Sequence, residues 1–414
     1  MRSRLIPGFF CLILLSVLWM PFGADVSAAA RLSAQGRDAL TRFLQEAVAR
    51  GDVPGVVVSI VNRDGPIYLE AFGAQNAARK IAMPKDAIFN IASMTKPITS
   101  AGVMLLAQQE KIRIDEPIAE YLPQYRDRRV ITRFNAADAT YETRAPRGPI
   151  TIRHLLTHTS GIGYTFSNAT VAAIQRQTRV NELDMPLLFE PGEGWAYGAS
   201  TRVLGQLIEK VSGEKLDVFL TSRLLKPMGM QDTSYTVAPE HVGRVASTNR
   251  RVDGAFVETA PGATVSSPVQ GDGGLYSTAA DYGRFLQMLV NDGKLGSTKI
   301  MNPETVKTMF RNHTGSVVVE QQVTTNPGLS ASFPIGAGED KWGLGFQLYT
   351  PKAKRLNTRS PGSGTWAGIF NTHFWVDPTN RVGVVVMMQV LPFYDEKAMQ
   401  VLAGVEERLY QHLK

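Results

Sequence analysis

Residues 89–111 read FNIASMTKPITSAGVMLLAQQEK and contain a Ser-x-x-Lys tetrad, Ser93 to Lys96. If a helix begins here, the lysine lies one turn beyond the serine on the same face, and its amine reaches the hydroxyl. A serine hydroxyl is a poor nucleophile until another group takes its proton. A lysine takes it only when burial or nearby positive charge favours the neutral amine. Apolar residues follow, among them Val103 and Leu106, so the stretch predicts a nucleophile and its base at the start of a buried helix.

A second tetrad, Ser212 to Lys215, has the same spacing in a different context. There Gly213 follows a helix-like run, which is typical of a C-terminal cap. Around the first tetrad, residues 87–91 are strand-like, and Pro97 is tolerable only near a helix start. We therefore interpret the second tetrad as structural and the first as the candidate catalytic one.

The N-terminal segment has the pattern of a secretory signal peptide. Arg2 and Arg4 precede an apolar run over residues 5–20, and Val-Ser-Ala follows at 26–28. A membrane anchor is the alternative, but the run is short for a span. We expect residues 1–28 to be removed, which leaves no stable membrane anchor and a periplasmic or secreted protein.

The remaining chain, residues 29–414, would be free of cysteine, because the single one, Cys11, lies in the N-terminal segment. This excludes a disulfide, a thiol nucleophile and a thiolate metal site. The formal net charge of +7 is mild and dispersed, which argues against nucleic acid as a partner. His154 and His158 have a metal-binding spacing for a helix, but no His-Glu-x-x-His pattern accompanies them. We expect neither a metal nor a cofactor.

Strand signals lie near both ends of residues 29–414. Asp64-Gly65 separates two β-branched or aromatic runs, a strong hairpin signal, and residues 366–376 and 381–390 are strand-like, with a terminal helix after them. The middle, roughly residues 93–310, is mostly helical in pattern. We predict an α+β fold in which both termini build one antiparallel β-sheet flanked by helices, with a mostly helical lobe inserted. The crevice between the lobes is the expected place for a site.

Two segments, residues 124–149 and 312–341, have little hydrophobic periodicity. Loops of this length in a compact domain are usually functional or disordered. We expect both to line the site, and whether residues 312–341 close over it stays open.

Further segments hold candidate partners for the nucleophile. Tyr197 lies in PGEGWAYGAS, and a phenol handles protons when neighbouring cations favour its charged form. A buried core tyrosine is the alternative. The backbone N–H of Ser93 at a helix N-terminus is a natural oxyanion donor. The glycine-rich residues 360–368 let a second backbone pass close to a ligand.

Five segments of the chain, in this order, resemble the serine hydrolases of the class C β-lactamase and penicillin-binding-protein group. They are SMTK (93–96), ITIRHLLTHTSG (150–161), PGEGWAY (191–197), GGLYSTAAD (273–281) and WGLGF (342–346). The resemblance spans residues 38–410. It implies a β-lactamase/transpeptidase-like fold for the single domain of residues 29–414.

The chain departs from the class C pattern in two motifs. Tyr197-Gly198-Ala199 stands where those relatives have Tyr-x-Asn, and Trp366-Ala367-Gly368 stands where they have Lys-Thr-Gly. A Trp-x-Gly third motif resembles the family VIII carboxylesterases. The missing lysine would otherwise offer a cation to the carboxylate of a β-lactam or a stem peptide. Ester substrates are therefore favoured over amides.

The resemblance also implies roles for the site residues. Ser93 would be the acylated nucleophile, with Lys96 and Tyr197 sharing the acid/base work in an order that the sequence does not give. The N–H groups of Ser93 and Ile369, just after Gly368, would form the oxyanion hole, and Trp366 would line the acyl pocket.

Three functions remain after this reading of the sequence. The first is an exported serine esterase for small to medium carboxylic esters. The second is an amide hydrolase on the same fold, namely a D-amino-acid peptidase, a cell-wall carboxypeptidase or a weak β-lactamase. The third is a non-catalytic binding protein on this scaffold, which the retention of Ser93, Lys96 and Tyr197 disfavours. The partner of either enzyme would be a small ester or amide, and the oligomeric state stays open.

Overall fold

A computed structural model describes residues 29–76, 78, 80–259, 264–352 and 356–414. The predicted signal peptide, residues 1–28, lies outside the described residues. The strands of the described chain are β1 Gly55–Asn62, β2 Gly65–Asn76, β3 Ile81–Ala82, β4 Phe89–Asn90, β5 Val130–Phe134, β6 Tyr141–Arg144, β7 Asn249–Val252, β8 Ala255–Glu258, β9 Tyr276–Ser277, β10 Lys294–Leu295, β11 Thr298–Lys299, β12 Lys341–Trp342, β13 Gln347–Leu348, β14 Gly364–Gly368, β15 Thr372–Asp377, β16 Val382–Met387 and β17 Val390–Leu391.

The α-helices of the described chain are α1 Ala34–Ala49, α2 Thr95–Gln108, α3 Ile152–Leu156, α4 Ala169–Thr178, α5 Ser200–Ser212, α6 Leu216–Leu220, α7 Ala279–Val290, α8 Pro303–Met309 and α9 Glu396–His412. Short 3-10 turns occur at Ala92–Met94, Ile118–Glu120, Pro123–Tyr125 and Pro239–Arg244, and a π-helical turn at Thr221–Leu225. None of the helices in the described part of the chain has the length and apolarity needed to cross a membrane.

The main sheet joins the two ends of the chain, as predicted. Its eight strands in the described chain follow the order β12-β13-β14-β15-β16-β1-β2-β3. β1 pairs antiparallel with β16, Val58 opposite Val386, and with β2 across the predicted Asp64-Gly65 hairpin. The α+β class with an antiparallel sheet flanked by helices is therefore confirmed.

Both faces of the sheet are covered, which follows from the composition of β1. Every residue of this strand is buried, and successive side chains of a strand point to opposite faces. Val56 and Val58 pack in the cluster with α1 and α9, whereas Val57 packs in the larger core on the other face. That larger core includes residues of α2, α5 and α7, and it supports the site.

The inserted region contains α2 to α8, but also small hairpins that the helical pattern did not predict. β5 and β6 form one within residues 124–149, and β7 and β8 form another, whose β7 pairs in parallel with β17. β5 and β6 are largely exposed, so their sequences lack the apolar alternation of a half-buried strand. No residue of 124–149 lines the cleft described below, and the expectation that this segment borders the site was wrong.

The predicted strand over residues 366–376 is two strands. β14 ends at Gly368 and β15 begins at Thr372, and between them the Asn371 N–H donates to the Gly368 carbonyl at 3.0 Å. Asn371 adopts a φ of 59°, a left-handed conformation that asparagine tolerates. Both strands are almost fully buried, and the apolar residues Ile369 and Phe370 carry the apolar run of β14 into the turn.

Candidate active site

Ser93 lies in the 3-10 turn Ala92–Met94 immediately before α2, and its side chain is half-buried. The turn is fixed from outside the helix. The Tyr282 hydroxyl donates to the Met94 carbonyl at 3.0 Å, and the Ala92 N–H donates to Asn90 Oδ1 at 3.0 Å. Ala92 has a φ of 42°. Such strained backbone persists where surrounding contacts hold it, often at functional sites.

Lys96 is buried in the first turn of α2, and its Nζ lies 3.1 Å from Ser93 Oγ. A second hydrogen bond runs from Nζ to the backbone carbonyl of Asp272, at 2.7 Å. The amine also lies 4.7 Å from the ring centroid of Tyr197 and 5.2 Å from that of Tyr164. Both phenol rings therefore pack against this amine. The predicted serine–lysine contact is present.

Tyr197 is buried in the loop before α5, and its hydroxyl accepts a hydrogen bond from Trp366 Nε1 at 3.3 Å. Its backbone N–H donates to Gln322 Oε1 at 3.2 Å. The next residue, Gly198, passes so close to the Ile162 carbonyl that a Cβ would lie 1.9 Å from the oxygen. A glycine is therefore required for this loop to pack against the backbone of Ile162 and Gly163.

The segment 312–341 lies against this tyrosine. Besides the Gln322 contact, the Phe333 ring lies 5.6 Å from the Tyr197 ring, nearly perpendicular to it. The predicted position of this segment at the rim of the site is confirmed by these contacts.

The end of β14 approaches the nucleophile's turn at Gly368. A Cβ on this residue would lie 2.3 Å from the Ile91 carbonyl oxygen and 2.3 Å from Thr372 Oγ1. Ile369 follows directly. Together with Ser93 it lines an open cleft and a smaller pocket, which are described below. The oxyanion role of the Ile369 N–H stays a prediction, and the close approach of its strand to Ser93 is consistent with it.

A buried network behind Lys96 was missed by the sequence analysis. The carboxylate of Asp272 accepts from the Tyr164 hydroxyl and from Arg202, whose Nη2 lies 3.0 Å away. Burial raises the pKa of Tyr164 well above its usual value, and the negative charge of Asp272 raises it further. Arg202 also lies 3.9 Å from Glu182. The only local signal was the position of Asp272 directly before the GGLYSTAAD segment.

The two histidines do not share a helix face. α3 ends at Leu156, and His158 has a φ of 57°. The His158 ring packs against Tyr197 and Trp342 at centroid distances of 5.2 and 5.1 Å. Burial lowers its pKa well below the usual value, and the charge of Lys96 lowers it further. Its place is in the aromatic wall of the site, and no group of three or more potential metal ligands occurs in the described chain.

An open cleft of about 590 Å³ adjoins Ser93. Its lining includes Tyr164, Phe166, Arg202 and Gln270. A small aromatic pocket lies beside it, and we call it the tryptophan pocket. Its lining residues are Ser93, Phe166, Tyr197, Phe333, Trp366, Ala367, Ile369 and Phe393. The hydroxyl of Ser93, the amine of Lys96, the phenol of Tyr197 and an aromatic wall thus meet at one place, an arrangement that can support acyl transfer.

The chain belongs to the Beta-lactamase family, whose model matches residues 40–405. It is thus a serine hydrolase of the β-lactamase fold, and the predicted resemblance is confirmed.

Among its relatives is Protein Rv1367c of Mycobacterium tuberculosis (strain H37Rv), 31% identical over 87% of this chain and 92% of the relative. Acyltransferase calJ of Penicillium decumbens is 30% identical over 75% of this chain and 77% of the relative. Esterase EstB of Burkholderia gladioli is 27% identical over 85% of this chain and 90% of the relative. The structure of simvastatin synthase (LovD) from Aspergillus terreus superimposes with a TM-score of 0.77 at 23% identity, covering 91% of this chain and 98% of that one. The last likeness bears on the fold alone.

Proposed function

We propose that this protein is an exported serine esterase that cleaves small to medium carboxylic esters through an acyl-enzyme on Ser93. One observation carries the proposal. Lys96 Nζ lies 3.1 Å from Ser93 Oγ beside a pocket that is lined by Trp366, the first residue of the Trp-x-Gly motif that resembles the family VIII carboxylesterases.

The reaction would have two steps. Ser93 Oγ attacks the ester carbonyl carbon and gives its proton to the pair of Lys96 and Tyr197, while the carbonyl oxygen takes up negative charge near the backbone N–H groups of Ser93 and Ile369. The C–O bond to the alcohol breaks, and the alcohol leaves with the proton. Water then attacks the acyl-serine, and the carboxylic acid leaves as the serine regains its proton.

The polar groups of the cleft support esters over the carboxylate-bearing amides. Among the described residues that line the open cleft, Arg202 is the only cation, and Asp272 already binds it at 3.0 Å. A β-lactam or stem-peptide carboxylate would have to compete with that buried partner. The position of Ala199 likewise lacks the amide of the class C pattern.

Acyl transfer to an alcohol is the second candidate, favoured by the name of the relative calJ. Transfer and hydrolysis share the acyl-enzyme and differ in whether an alcohol or water attacks it. Export is proposed from the sequence of residues 1–28 alone, and cell fractionation that recovers the uncleaved chain, residues 1–28 included, in the cytoplasm would exclude it.

Hydrolysis of a p-nitrophenyl ester series beside a chromogenic cephalosporin tests the proposal, with wild type compared with Ser93→Ala. We expect ester turnover that vanishes in the variant and little cephalosporin cleavage. A preference for the cephalosporin would favour the amidase alternative. Added alcohols that divert product from acid to ester would indicate acyl transfer.

A further inference from the structure

A second cavity, of about 130 Å³, lies beyond the aromatic wall of the tryptophan pocket. We call it the rear cavity. Phe333, Trp366, Ala367 and Phe393 line both spaces, so these side chains form the partition between them. Residues of α9, among them Ala403, form the far wall.

The two spaces follow the same free strand edge. β13 pairs with β14 only at Gly364 and Thr365, so residues 366–368 have no strand partner on that side in the described chain. Two residues of strand, from Ile369 to Ala367, cover about 7 Å. An extended chain of about six bonds spans that distance, since three backbone bonds cover roughly 3.6 Å. An arm of this length that passes along the free edge of β14 would extend from Ile369 to Ala367, which borders the rear cavity.

Two buried polar atoms in the lining of the rear cavity lack a partner. His373 Nε2 and Tyr349 Oη make no hydrogen bond to any described residue. Buried polar groups normally have a partner, and leaving one unsatisfied is costly. Burial lowers the pKa of His373 to about 3, with the charge of Arg359 adding to it, so the imidazole is neutral. A hydroxyl suits both atoms, because it donates and accepts.

The charges around the rear cavity disfavour an anion. Arg359 is bound through Nε and Nη2 to the two oxygens of Glu406, at 2.7 and 2.8 Å. Asp340 is the other charged residue among the described lining residues, and its carboxylate accepts from Gln347 at 2.7 Å. The charge of Arg359 is therefore already paired with Glu406, and Asp340 adds a second carboxylate to the lining, so that an anionic ligand would meet no unpaired cation among the described lining residues.

We propose that the rear cavity binds one arm of the substrate ester, a neutral chain of about six bonds that ends in a hydroxyl near His373 and Tyr349. This inference rests on the proposed esterase function. The arm belongs either to the acid or to the alcohol, and the two sources are separated by the choice of substrate.

The test compares hydroxyl-terminated with methyl-terminated esters. For the acid arm the pair is p-nitrophenyl 6-hydroxyhexanoate and hexanoate, and for the alcohol arm it is 6-hydroxyhexyl acetate and hexyl acetate. We expect the terminal hydroxyl to raise kcat/KM at least about fivefold in one of the two pairs, the effect of one hydrogen bond. Tyr349→Phe should remove that gain. Tyr141→Phe, on the exposed hairpin strand β6, is the matched control and should keep it.

A second variant blocks the rear cavity from the surface. Ala403 is exposed on α9, so that Ala403→Phe adds a ring at the cavity without entering the core. It should lower turnover of the six-carbon esters relative to the acetate of the same leaving group. Gln400→Phe, one turn away on the same helix and outside the lining, should keep the wild-type ratio.

The inference is overturned if neither pair gains from the hydroxyl, or if the gain survives both Tyr349→Phe and Ala403→Phe. Failure of the esterase proposal has a different signature, since wild type would then hydrolyse no ester, p-nitrophenyl acetate included. In that case ligand-observed NMR with 1,6-hexanediol still decides the inference. Binding that Ala403→Phe abolishes supports the rear cavity as a site, and absence of binding to wild type overturns it.

Discussion

Among single residues, Trp366 distinguishes this site from the class C pattern, which has a lysine in the corresponding motif. Its Nε1 donates to the Tyr197 hydroxyl, and its ring packs 4.9 Å from the ring of Trp342. The Trp366 indole therefore orients the Tyr197 phenol and also lines the tryptophan pocket. A lysine in the same place would add a charge and could not supply that wall.

Trp366→Phe keeps an aromatic ring but removes the N–H that Tyr197 accepts. We expect kcat/KM for a p-nitrophenyl ester to fall about five- to tenfold, since one hydrogen bond contributes roughly 1 kcal/mol, with little change in Tm. Trp195→Phe is the matched control, because Trp195 lies in the same aromatic cluster and its Nε1 has no hydrogen-bond partner in the described chain. Equal losses in the two variants would assign the effect to ring size and contradict this role.

Local sequence predicted the contact of Ser93 with Lys96 but not the surroundings of this pair. Ser93 and Lys96 are three residues apart, so helical geometry alone brings them together. Asp272 bonds Tyr164 from 108 residues away and Arg202 from 70 residues away. Pairs at such separations depend on the packing of α5 against α2, which no local pattern reports.

Among the elements, the end of β14 and the turn before α2 depend most on each other. Gly368 lets the strand backbone approach the Ile91 carbonyl, which a Cβ would meet at 2.3 Å. The contact determines where Ile369 lies relative to Ser93. The sequence predicted a strand here but not its end, because Ile369 and Phe370 extend the apolar run of β14 into the turn.

Gly368→Ala should push β14 away from the nucleophile. We expect kcat/KM to fall about 100-fold, the usual effect of misplacing catalytic groups by an ångström, while circular dichroism stays native. Gly148→Ala is the matched control, because a Cβ at Gly148 has nothing within 4 Å. Wild-type activity in Gly368→Ala would show that this approach does not position the oxyanion donors.

The first turn of α7 contains a buried carboxyl, Asp281. Its Oδ2 accepts from the Asp232 N–H at 2.8 Å and the Thr233 hydroxyl at 3.0 Å, yet burial raises its pKa to about 6. In the unfolded chain the pKa is near 4. The unfolded state therefore loses its proton first as the pH rises, and the free energy of unfolding falls between about pH 4 and pH 6.

Asp281→Asn keeps an oxygen for both hydrogen bonds and carries no charge at any pH. Relative to wild type, its free energy of unfolding should rise by up to about 3 kcal/mol between pH 4 and pH 8. Urea denaturation at the two pH values measures the change. If the free energies of unfolding of wild type and Asp281→Asn differ by the same amount at both pH values, the assignment of the raised pKa to Asp281 is contradicted.

At the scale of the whole molecule, the inserted region is tied to both chain ends. Arg251 on β7 binds Asp395, the N-cap of α9, with Nε 2.6 Å from Oδ2, and donates to the backbone carbonyl of Asp52 at 2.5 Å. Both charged side chains are largely buried. The sequence predicted the sheet of both termini, whereas this tie joins residues 144 apart and had no local signal.

Arg251→Met should lower the free energy of unfolding by about 3 kcal/mol, because it leaves the Asp395 charge buried without its partner. Arg133→Met is the matched control, since its partner Glu142 is exposed and 3.9 Å away, and we expect a change below about 0.5 kcal/mol. Chemical denaturation measures the free energy of unfolding of both variants. Equal losses would show that the burial of the Arg251–Asp395 pair does not determine its contribution to stability.

The central claim is a covalent acyl-enzyme on Ser93, and intact-protein and peptide mass spectrometry of rapidly quenched reactions tests it most directly. With a slowly hydrolysed p-nitrophenyl ester, we predict one acyl adduct per chain, on the peptide that contains Ser93, and none in Ser93→Ala. An adduct on another residue, or sustained ester turnover in Ser93→Ala, would contradict the account.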